Sequence, residues 1–188
     1  MAAGTVAEVS TDPVLALARE GKPREAIALC AREHGAAVGR FCMALLGDQA
    51  EAEEVLQEAL LVAFDGFGDL RGDAVRPWLY GIARRMCARR LAKRTRRAGR
   101  LRLIHDAEEA VEGADELLER RQRAAKVREG LEQLKPSDRE ALLLRYEAGL
   151  SYREVGEIQS IDEATARKRA SRALARLRDI LLSSGALR

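Results

Sequence analysis

The stretch from Asp138 to Leu177 constrains the fold of this chain more than any other part of its sequence. A helical run ends before Ser151, a short helix is predicted from Tyr152 to Ile158, and a basic helix follows Asp162. Ser151 is a good N-cap with Glu154 three residues on, which completes a capping box, and Asp162 caps the second helix. Two helices joined by a tight turn outline a helix-turn-helix, which places its second helix in the DNA major groove.

The second helix of this motif carries a row of basic side chains. A guanidinium in its first half can donate bidentately to guanine O6 and N7, whereas later arginines more naturally meet phosphates. A solvated amphipathic helix that closes a bundle would look similar, so that alternative stays open. The candidate DNA contacts here are Arg167, Lys168, Arg169 and Arg172.

Helical patterns cover most of the chain, and β-branched residues never alternate as a strand requires. The predicted fold is all-α, with two small helical domains joined by a linker and the helix-turn-helix in the second. We place the domains at residues 13–97 and 115–183, with an acidic linker at 98–114. The linker lies where charge changes sign: residues 84–102 hold ten Arg or Lys and no acid, and residues 106–119 hold seven acids and no Lys or Arg.

A second basic segment lies upstream, around a glycine-rich loop and a helix predicted from about Val75 to Thr95. Aromatic faces stack on unpaired bases while arginines follow phosphates, so the two together suit single-stranded or opening DNA. The aromatic residues would equally pack in a core, since large aromatic side chains usually do. The candidate contacts here are Arg71, Trp78, Tyr80, Arg84, Arg85 and Arg89.

The helix before this loop has an acidic and amide face, which suits a protein partner with a basic surface. Ordinary helix solubility is the alternative explanation. The face comprises Asp48, Glu51, Glu54, Gln57 and Glu58, with Val55 alongside.

Several classes of protein lack support in the sequence. The three cysteines lie far apart without a Cys-x-x-Cys motif, so we expect reduced core thiols in the cytoplasm and no zinc site. No signal peptide or apolar run long enough to span a membrane is visible. Metal-ligand clusters, phosphate-cradling glycine loops and nucleophile motifs are not found, so we expect neither an enzyme nor a cofactor.

Two blocks of sequence resemble bacterial sigma factors. Leu46-Gly-Asp-Gln-Ala-Glu-Ala-Glu-Glu-Val-Leu-Gln-Glu-Ala, Leu70-Arg-Gly-Asp and Trp78-Leu-Tyr-Gly-Ile-Ala-Arg-Arg look like their region two. Leu134-Lys-Pro-Ser-Asp-Arg-Glu-Ala-Leu-Leu-Leu-Arg-Tyr, with Gly149-Leu-Ser-Tyr-Arg-Glu-Val, is similar to region four. These two regions with a short linker form the layout of the extracytoplasmic-function group, and the resemblance covers about residues 23 to 182.

The resemblance implies a protein that binds core RNA polymerase and directs promoter recognition, DNA melting and transcription initiation. The face from Asp48 to Glu58 would dock on the β′ clamp helices, and region four would contact the β flap. The helix from Trp78 to Arg90 would read the minus-ten element, and the four basic residues from Arg167 to Arg172 would contact the minus-thirty-five element. The acidic linker would lie toward the polymerase channel. Such proteins are commonly held by an anti-sigma protein.

Five positions depart from the usual region-four pattern. Gln159-Ser160 stands where Leu-Gly is usual, which predicts a non-glycine residue in a left-handed or strained conformation. Gly156 replaces a usual alanine, Glu163 brings a negative charge near phosphate, and Ala166 removes core volume. We expect these changes to alter minus-thirty-five recognition and not the general class.

Three rival functions are compatible with parts of the chain. A helix-turn-helix repressor or activator would use the C-terminal domain alone, but it leaves the pattern from Asp48 to Arg90 unexplained. An enzyme acting on nucleic acid would need a reactive cluster that the sequence lacks. An anti-sigma-like binding protein would not need two basic DNA surfaces.

Overall fold

The computed structural model describes residues 12–70, 74–98 and 115–185. Over those ranges the chain is helical and contains no β-strand, which confirms the all-α prediction. The helices are α1 (Pro13–Arg19), α2 (Pro23–Leu46), α3 (Gln49–Gly66), α4 (Val75–Ala98), α5 (Asp115–Glu132), α6 (Pro136–Leu142), α7 (Tyr152–Gln159) and α8 (Glu163–Ser183).

Helix ends in the N-terminal half follow local capping chemistry. Asp12 caps α1 by accepting the Val14 amide at 3.0 Å, and its other carboxylate oxygen accepts the Val75 amide at 3.0 Å. Asp12 therefore ties the start of α1 to the start of α4. Gly47 ends α2 with a left-handed φ of 71°, and Asp48 caps α3 by accepting the Glu51 amide at 2.8 Å.

The core of the N-terminal half lies between α2, α3 and α4. Phe41 and Tyr80 meet edge to face in it, with ring centroids 5.2 Å apart and an interplanar angle of 82°. All three cysteines are free and buried, which confirms their prediction as core thiols. Burial raises the pKa of the Cys30 thiol to about 11, so this group is a poor nucleophile.

The C-terminal half contains the predicted helix-turn-helix. The helix α6 continues into a π-helical turn, Leu143–Glu147, which sequence periodicity did not predict. Ser151 and Glu154 form the predicted capping box at the start of α7. Ser160 ends α7 at φ 57°, which confirms that a non-glycine residue takes the left-handed conformation.

A close backbone approach explains the glycine in α7. A Cβ built on Gly156 would lie 2.6 Å from the Ile161 carbonyl oxygen, a backbone atom that has little room to move. A hydrogen bond between the same two residues closes the turn, because the Ile161 amide donates to the Gly156 carbonyl at 2.9 Å. The observed turn geometry therefore needs glycine at position 156.

The two halves of the chain pack directly against each other. Buried Leu143, Leu144 and Val155 belong to the same hydrophobic cluster as Phe41 and Tyr80. Helix α4 contacts α7, and α2 contacts the π-helical turn. A smaller cluster of Leu134, Leu142, Ala173, Leu177 and Leu181 holds α6 and α8 to the segment that follows α5. Sequence analysis predicted two domains but did not predict this shared core.

Candidate nucleic-acid interface

The basic helix α8 presents three of its four candidate DNA contacts to solvent. Asp162 caps the helix by accepting the Thr165 amide at 2.8 Å and its hydroxyl at 2.6 Å. These hydrogen bonds from Thr165 hold the pKa of the Asp162 carboxyl below its ordinary value. Arg167, Lys168 and Arg172 are exposed on the helix that follows. The cap therefore starts a recognition-type helix whose basic face is accessible.

Arg169, the fourth candidate, is held by a residue that sequence analysis assigned only to the turn. Its Nη1 donates to Gln159 Oε1 at 2.9 Å. Gln159 is buried, and its Nε2 donates to the Ser137 carbonyl at 3.0 Å. Gln159 thus orients Arg169 and joins α6, α7 and α8. The signal available in the sequence was an amide side chain where the family usually has leucine.

Arg167 is restrained by two neighbours in the helix-turn-helix. Its Nη2 lies 2.6 Å from Glu163 Oε1, one turn earlier in α8. Its guanidinium carbon also lies 5.3 Å from the centre of the Tyr152 ring, which is within cation–π range. The predicted base-reading arginine is therefore partly neutralised and partly ordered before any DNA is bound.

The upstream candidates lie on or beside α4, with different degrees of access. Arg85 and Arg89 are exposed, and half-buried Trp78 packs on Phe67 with ring centroids 5.8 Å apart. A Cβ built on Gly66 would lie 3.1 Å from the Trp78 ring, so glycine at this position leaves room for the ring beside Phe67. Candidate Arg71 lies outside the described residues.

Tyr80 is placed in the core and not on the DNA-facing surface. Its side chain is fully buried against Phe41, so it has no face free to stack on a base in this conformation. The periodicity of α4 explains the difference, because Tyr80 shares the inward face with Leu79 and Ala83. Burial raises the pKa of the Tyr80 phenol, whose oxygen lacks a hydrogen-bond partner in the structure.

The Arg84 guanidinium is bound by residues of the C-terminal half. Its Nε donates to Glu140 Oε2 on α6 at 2.7 Å, and its Nη1 donates to the Ile158 carbonyl on α7 at 3.3 Å. A cavity of about 650 Å³ separates α4 from α7 beside this contact, and Trp78 and Arg85 line it from α4. The part of the α4 surface around Arg84 therefore faces the helix-turn-helix.

The acidic face of α3 is largely paired with α4. Glu54 and Glu58 both bind Arg90 at 2.7 Å, and Glu51 binds Arg94 at 2.8 Å. Asp48 serves as the cap of α3. These carboxylates are thus partly neutralised within the chain, which reduces the charge available to an outside partner.

Val55 is fully buried, so the structure places it in the core and not on a partner-binding face. Val55 is buried because it belongs to the inward stripe of α3, which runs through Ala52, Val55 and Ala59. Gln57, by contrast, is exposed, and Leu61 has 65% of its surface exposed. Both line an apolar groove of about 540 Å³ with Ile27, Leu60 and Phe64.

Two negative findings apply to the parts of the chain that the structure describes. Among residues 12–70, 74–98 and 115–185, no helix is both long and apolar enough to cross a membrane. Within the same ranges, no group of three or more His, Cys, Asp or Glu side chains is placed to hold a metal ion.

Comparison with known proteins gives matches over both halves of the chain. Residues 30–97 match the family described as Sigma-70 region 2, and residues 124–177 match the family described as Sigma-70, region 4. The RNA polymerase sigma-H factor of Pseudomonas aeruginosa is 35% identical over 136 residues, which are 67% of this chain and 70% of that protein. The RNA polymerase sigma factor CarQ of Myxococcus xanthus is 32% identical over 154 residues, or 79% of this chain and 84% of that protein.

A solved structure is also similar. The sigma factor RpoE of Bartonella quintana, in a co-crystal with the anti-sigma factor NepR, superposes with a TM-score of 0.63 at 25% identity. The superposition covers 77% of this chain and 89% of that one.

Proposed function

Since this chain belongs to the extracytoplasmic-function group of the sigma-70 family, with a region 2 and a region 4, we propose how its surfaces divide the work of transcription initiation. As a sigma factor it is a transcription initiation factor and not an enzyme. In our proposal the region-2 half binds polymerase and the minus-ten element, and the region-4 half binds the minus-thirty-five element. The presence of two separate basic helices, α4 and α8, on one chain carries this proposal.

We assign minus-thirty-five reading to the exposed face of α8. Arg167 and Lys168 lie in the first half of this helix, where side chains of recognition helices reach base edges. Arg172 lies further along and is suited to a phosphate. Arg169 is oriented by Gln159, so we expect it to contribute a fixed contact.

We assign minus-ten binding to the α4 surface around Trp78, with Arg84, Arg85 and Arg89, and by resemblance Arg71. Trp78 is half-buried and supplies an aromatic edge beside exposed Arg85. Opened bases stack on aromatic faces while arginines hold the backbone. Buried Tyr80 supports this surface from beneath through its contact with Phe41.

For polymerase we propose the outer side of α3 as the docking surface on the β′ clamp helices, with region 4 on the β flap. The apolar groove with exposed Gln57 and Leu61 is the part of this side that internal ion pairs leave free. Asp48, Glu51, Glu54 and Glu58 would flank that contact. A contiguous apolar patch, such as the one Leu61 forms with Ile27, Leu60 and Phe64, is typical of a protein-binding site.

We infer that the chain opens when it acts. The two promoter elements are named for positions about 25 base pairs apart, or about 85 Å at 3.4 Å per base pair. In the structure α4 and α7 are in contact, and Arg84 is bound to Glu140. One compact chain in this arrangement cannot reach both promoter elements at once, so region 2 and region 4 must separate on the polymerase.

An anti-sigma protein is our proposed regulator. The similar RpoE of Bartonella quintana was crystallised with the anti-sigma factor NepR. We propose that a protein of this kind holds the present chain in the cytoplasm, where it would compete with polymerase for the groove beside Leu61.

Run-off transcription with sigma-free core polymerase on a library of the organism's own DNA tests the proposal. The purified chain should start transcription at defined sites. Arg167→Ala should reduce that transcription and leave polymerase binding intact, while Leu61→Asp should reduce polymerase binding itself. Arg128→Ala, at an exposed position of α5, serves as the charge-matched control. Failure to initiate at any defined site would refute the proposed function.

A further inference from the structure

Two guanidinium groups lie close to the ring of Tyr152, the first residue of α7. The Arg145 guanidinium carbon is 4.8 Å from the centre of its ring, and that of Arg167 is 5.3 Å away. Both distances fall within the range of about 6 Å over which a ring face attracts a cation. One arginine comes from the π-helical turn and the other from the recognition helix, so the ring links these two elements.

The ring is also held by residues outside α8. Arg145 is anchored because its Nη1 donates to the Leu150 carbonyl at 2.9 Å. Hydrogen bonds from the Arg145 guanidinium and from the Tyr146 hydroxyl hold the pKa of the Tyr152 phenol below its ordinary value. The capping box at Ser151 holds the backbone just before the ring. These contacts leave Tyr152 little freedom to follow Arg167 if that arginine moves.

Arg167, by contrast, stands on an exposed part of α8, with 59% of its side chain exposed. An arginine in that setting normally samples many rotamers, and this freedom is lost when it forms a bidentate contact with a base. Here the ring face of Tyr152 and the Glu163 carboxylate limit those rotamers before DNA arrives. A side chain ordered in advance loses less entropy on binding.

We propose that Tyr152 is a positioning residue for minus-thirty-five recognition, which holds the Arg167 guanidinium in the orientation from which it reads a base. This inference rests on the proposed role of Arg167. When DNA displaces the Glu163 carboxylate, the ring keeps its hold on the guanidinium, because a cation–π contact leaves the N–H donors at the guanidinium edge available. Tyr152 therefore raises discrimination between base pairs more than it raises general affinity for DNA.

The test compares holoenzyme binding to two duplexes of equal length. One carries a minus-thirty-five sequence mapped by run-off transcription, and the other carries the same bases scrambled. The variants are Tyr152→Leu, Tyr152→Phe, Arg167→Ala and the double variant Tyr152→Leu/Arg167→Ala. Circular dichroism confirms that each variant keeps its helices, and polymerase binding is measured in parallel.

Tyr152→Leu should weaken binding to the mapped duplex by about two- to five-fold and leave binding to the scrambled duplex unchanged. Tyr152→Phe keeps the ring and should retain most of the discrimination. In the Arg167→Ala background, Tyr152→Leu should have no further effect, because the residue it positions is gone.

Equal losses on both duplexes, or a full further loss in the Arg167→Ala background, would overturn the inference and leave the proposed function standing. If Arg167→Ala itself leaves binding to the mapped duplex unchanged, the role assigned to Arg167 fails together with the inference. A loss confined to Arg167→Ala, with Tyr152→Leu equal to wild type, overturns the positioning role alone.

Discussion

Arg84 of α4 and Glu140 of α6 form an ion pair that joins the two halves of the chain, with Arg84 Nε 2.7 Å from Glu140 Oε2. Their side chains are only 26% and 10% exposed. A carboxylate here occupies the arginine that we assign to DNA. In our proposal a DNA phosphate contacts this same arginine, so closure and minus-ten binding would exclude each other at Arg84.

Glu140→Gln should favour the open form. Removing the charge leaves Arg84 without its partner at a shielded interface, which we expect to weaken closure by about 1–3 kcal/mol. Small-angle X-ray scattering should show a larger radius of gyration. The polymerase-free chain should also bind duplex DNA more tightly.

Glu147→Gln is the matched control for the Glu140 variant. It breaks a second ion pair between the halves, to Arg40, but that pair is 63% and 38% exposed. Exposed pairs contribute about 1 kcal/mol or less. Scattering identical to wild type for Glu140→Gln, in a chain that keeps its helices, would contradict the closing role of this contact.

Ser160→Gly should stabilise the helix-turn-helix. Ser160 takes a left-handed conformation at φ 57°, which costs a non-glycine residue about 1 kcal/mol. Glycine also has greater freedom in the unfolded chain, so the net gain should be below about 1 kcal/mol. Urea denaturation measures the change, and Ser160→Ala should show no gain. A loss of stability with glycine would argue against strain at this residue.

Gly156→Ala should destabilise the same motif, although alanine is usual in the family. The added Cβ would lie 2.6 Å from the Ile161 carbonyl oxygen, and relieving that clash should cost about 1–3 kcal/mol. Gly35→Ala in α2 is the control, because its Cβ would meet nothing within 4 Å and helix propensity favours alanine by up to about 1 kcal/mol. The thermal unfolding temperature should fall for Gly156→Ala and rise for Gly35→Ala.

Glu163→Gln should strengthen DNA binding. It removes the carboxylate that lies 2.6 Å from Arg167 and places one more uncompensated positive charge at the DNA surface. Affinity should rise, and the slope of log affinity against log salt should steepen by about 1. Titrations of a mapped duplex at several salt concentrations measure both. Glu129→Gln, at an exposed position of α5, should leave the slope unchanged. An unchanged slope for Glu163→Gln would show that the freed Arg167 charge neutralises no DNA phosphate.

The Asp162 cap should make the stability of the recognition helix α8 sensitive to acid. Because hydrogen bonds from Thr165 lower its folded-state pKa, its contribution is present above the unfolded pKa of about 3.9 and is lost as pH falls through the folded value. Asp162→Asn should remove this part of the pH dependence, and Thr165→Val should reduce it. Unfolding free energies measured between neutral pH and about pH 3 test the direction of this effect. A wild-type protein that is more stable at about pH 3 than at neutral pH would contradict the prediction.

Helix boundaries in this protein were readable from the sequence because capping is local. Ser151 and Asp162 each act within three residues of their own position, and each was predicted as a cap where it is found. The left-handed Ser160 was also predicted, since a turn that usually holds glycine imposes its backbone conformation on whatever residue replaces it.

The partners of the site residues were decided by the tertiary structure. Arg84 and Glu140 are 56 residues apart, and the sequence pattern around either one does not specify the other. Tyr80 and Val55 were candidate contacts, with core packing left open as the alternative for the aromatic residues, and the packing of the helices places both side chains in the core. Periodicity and capping thus indicated the helices, and two blocks of sequence indicated the family by resemblance, whereas burial, which depends on how distant helices pack, decided which basic and aromatic side chains stay exposed.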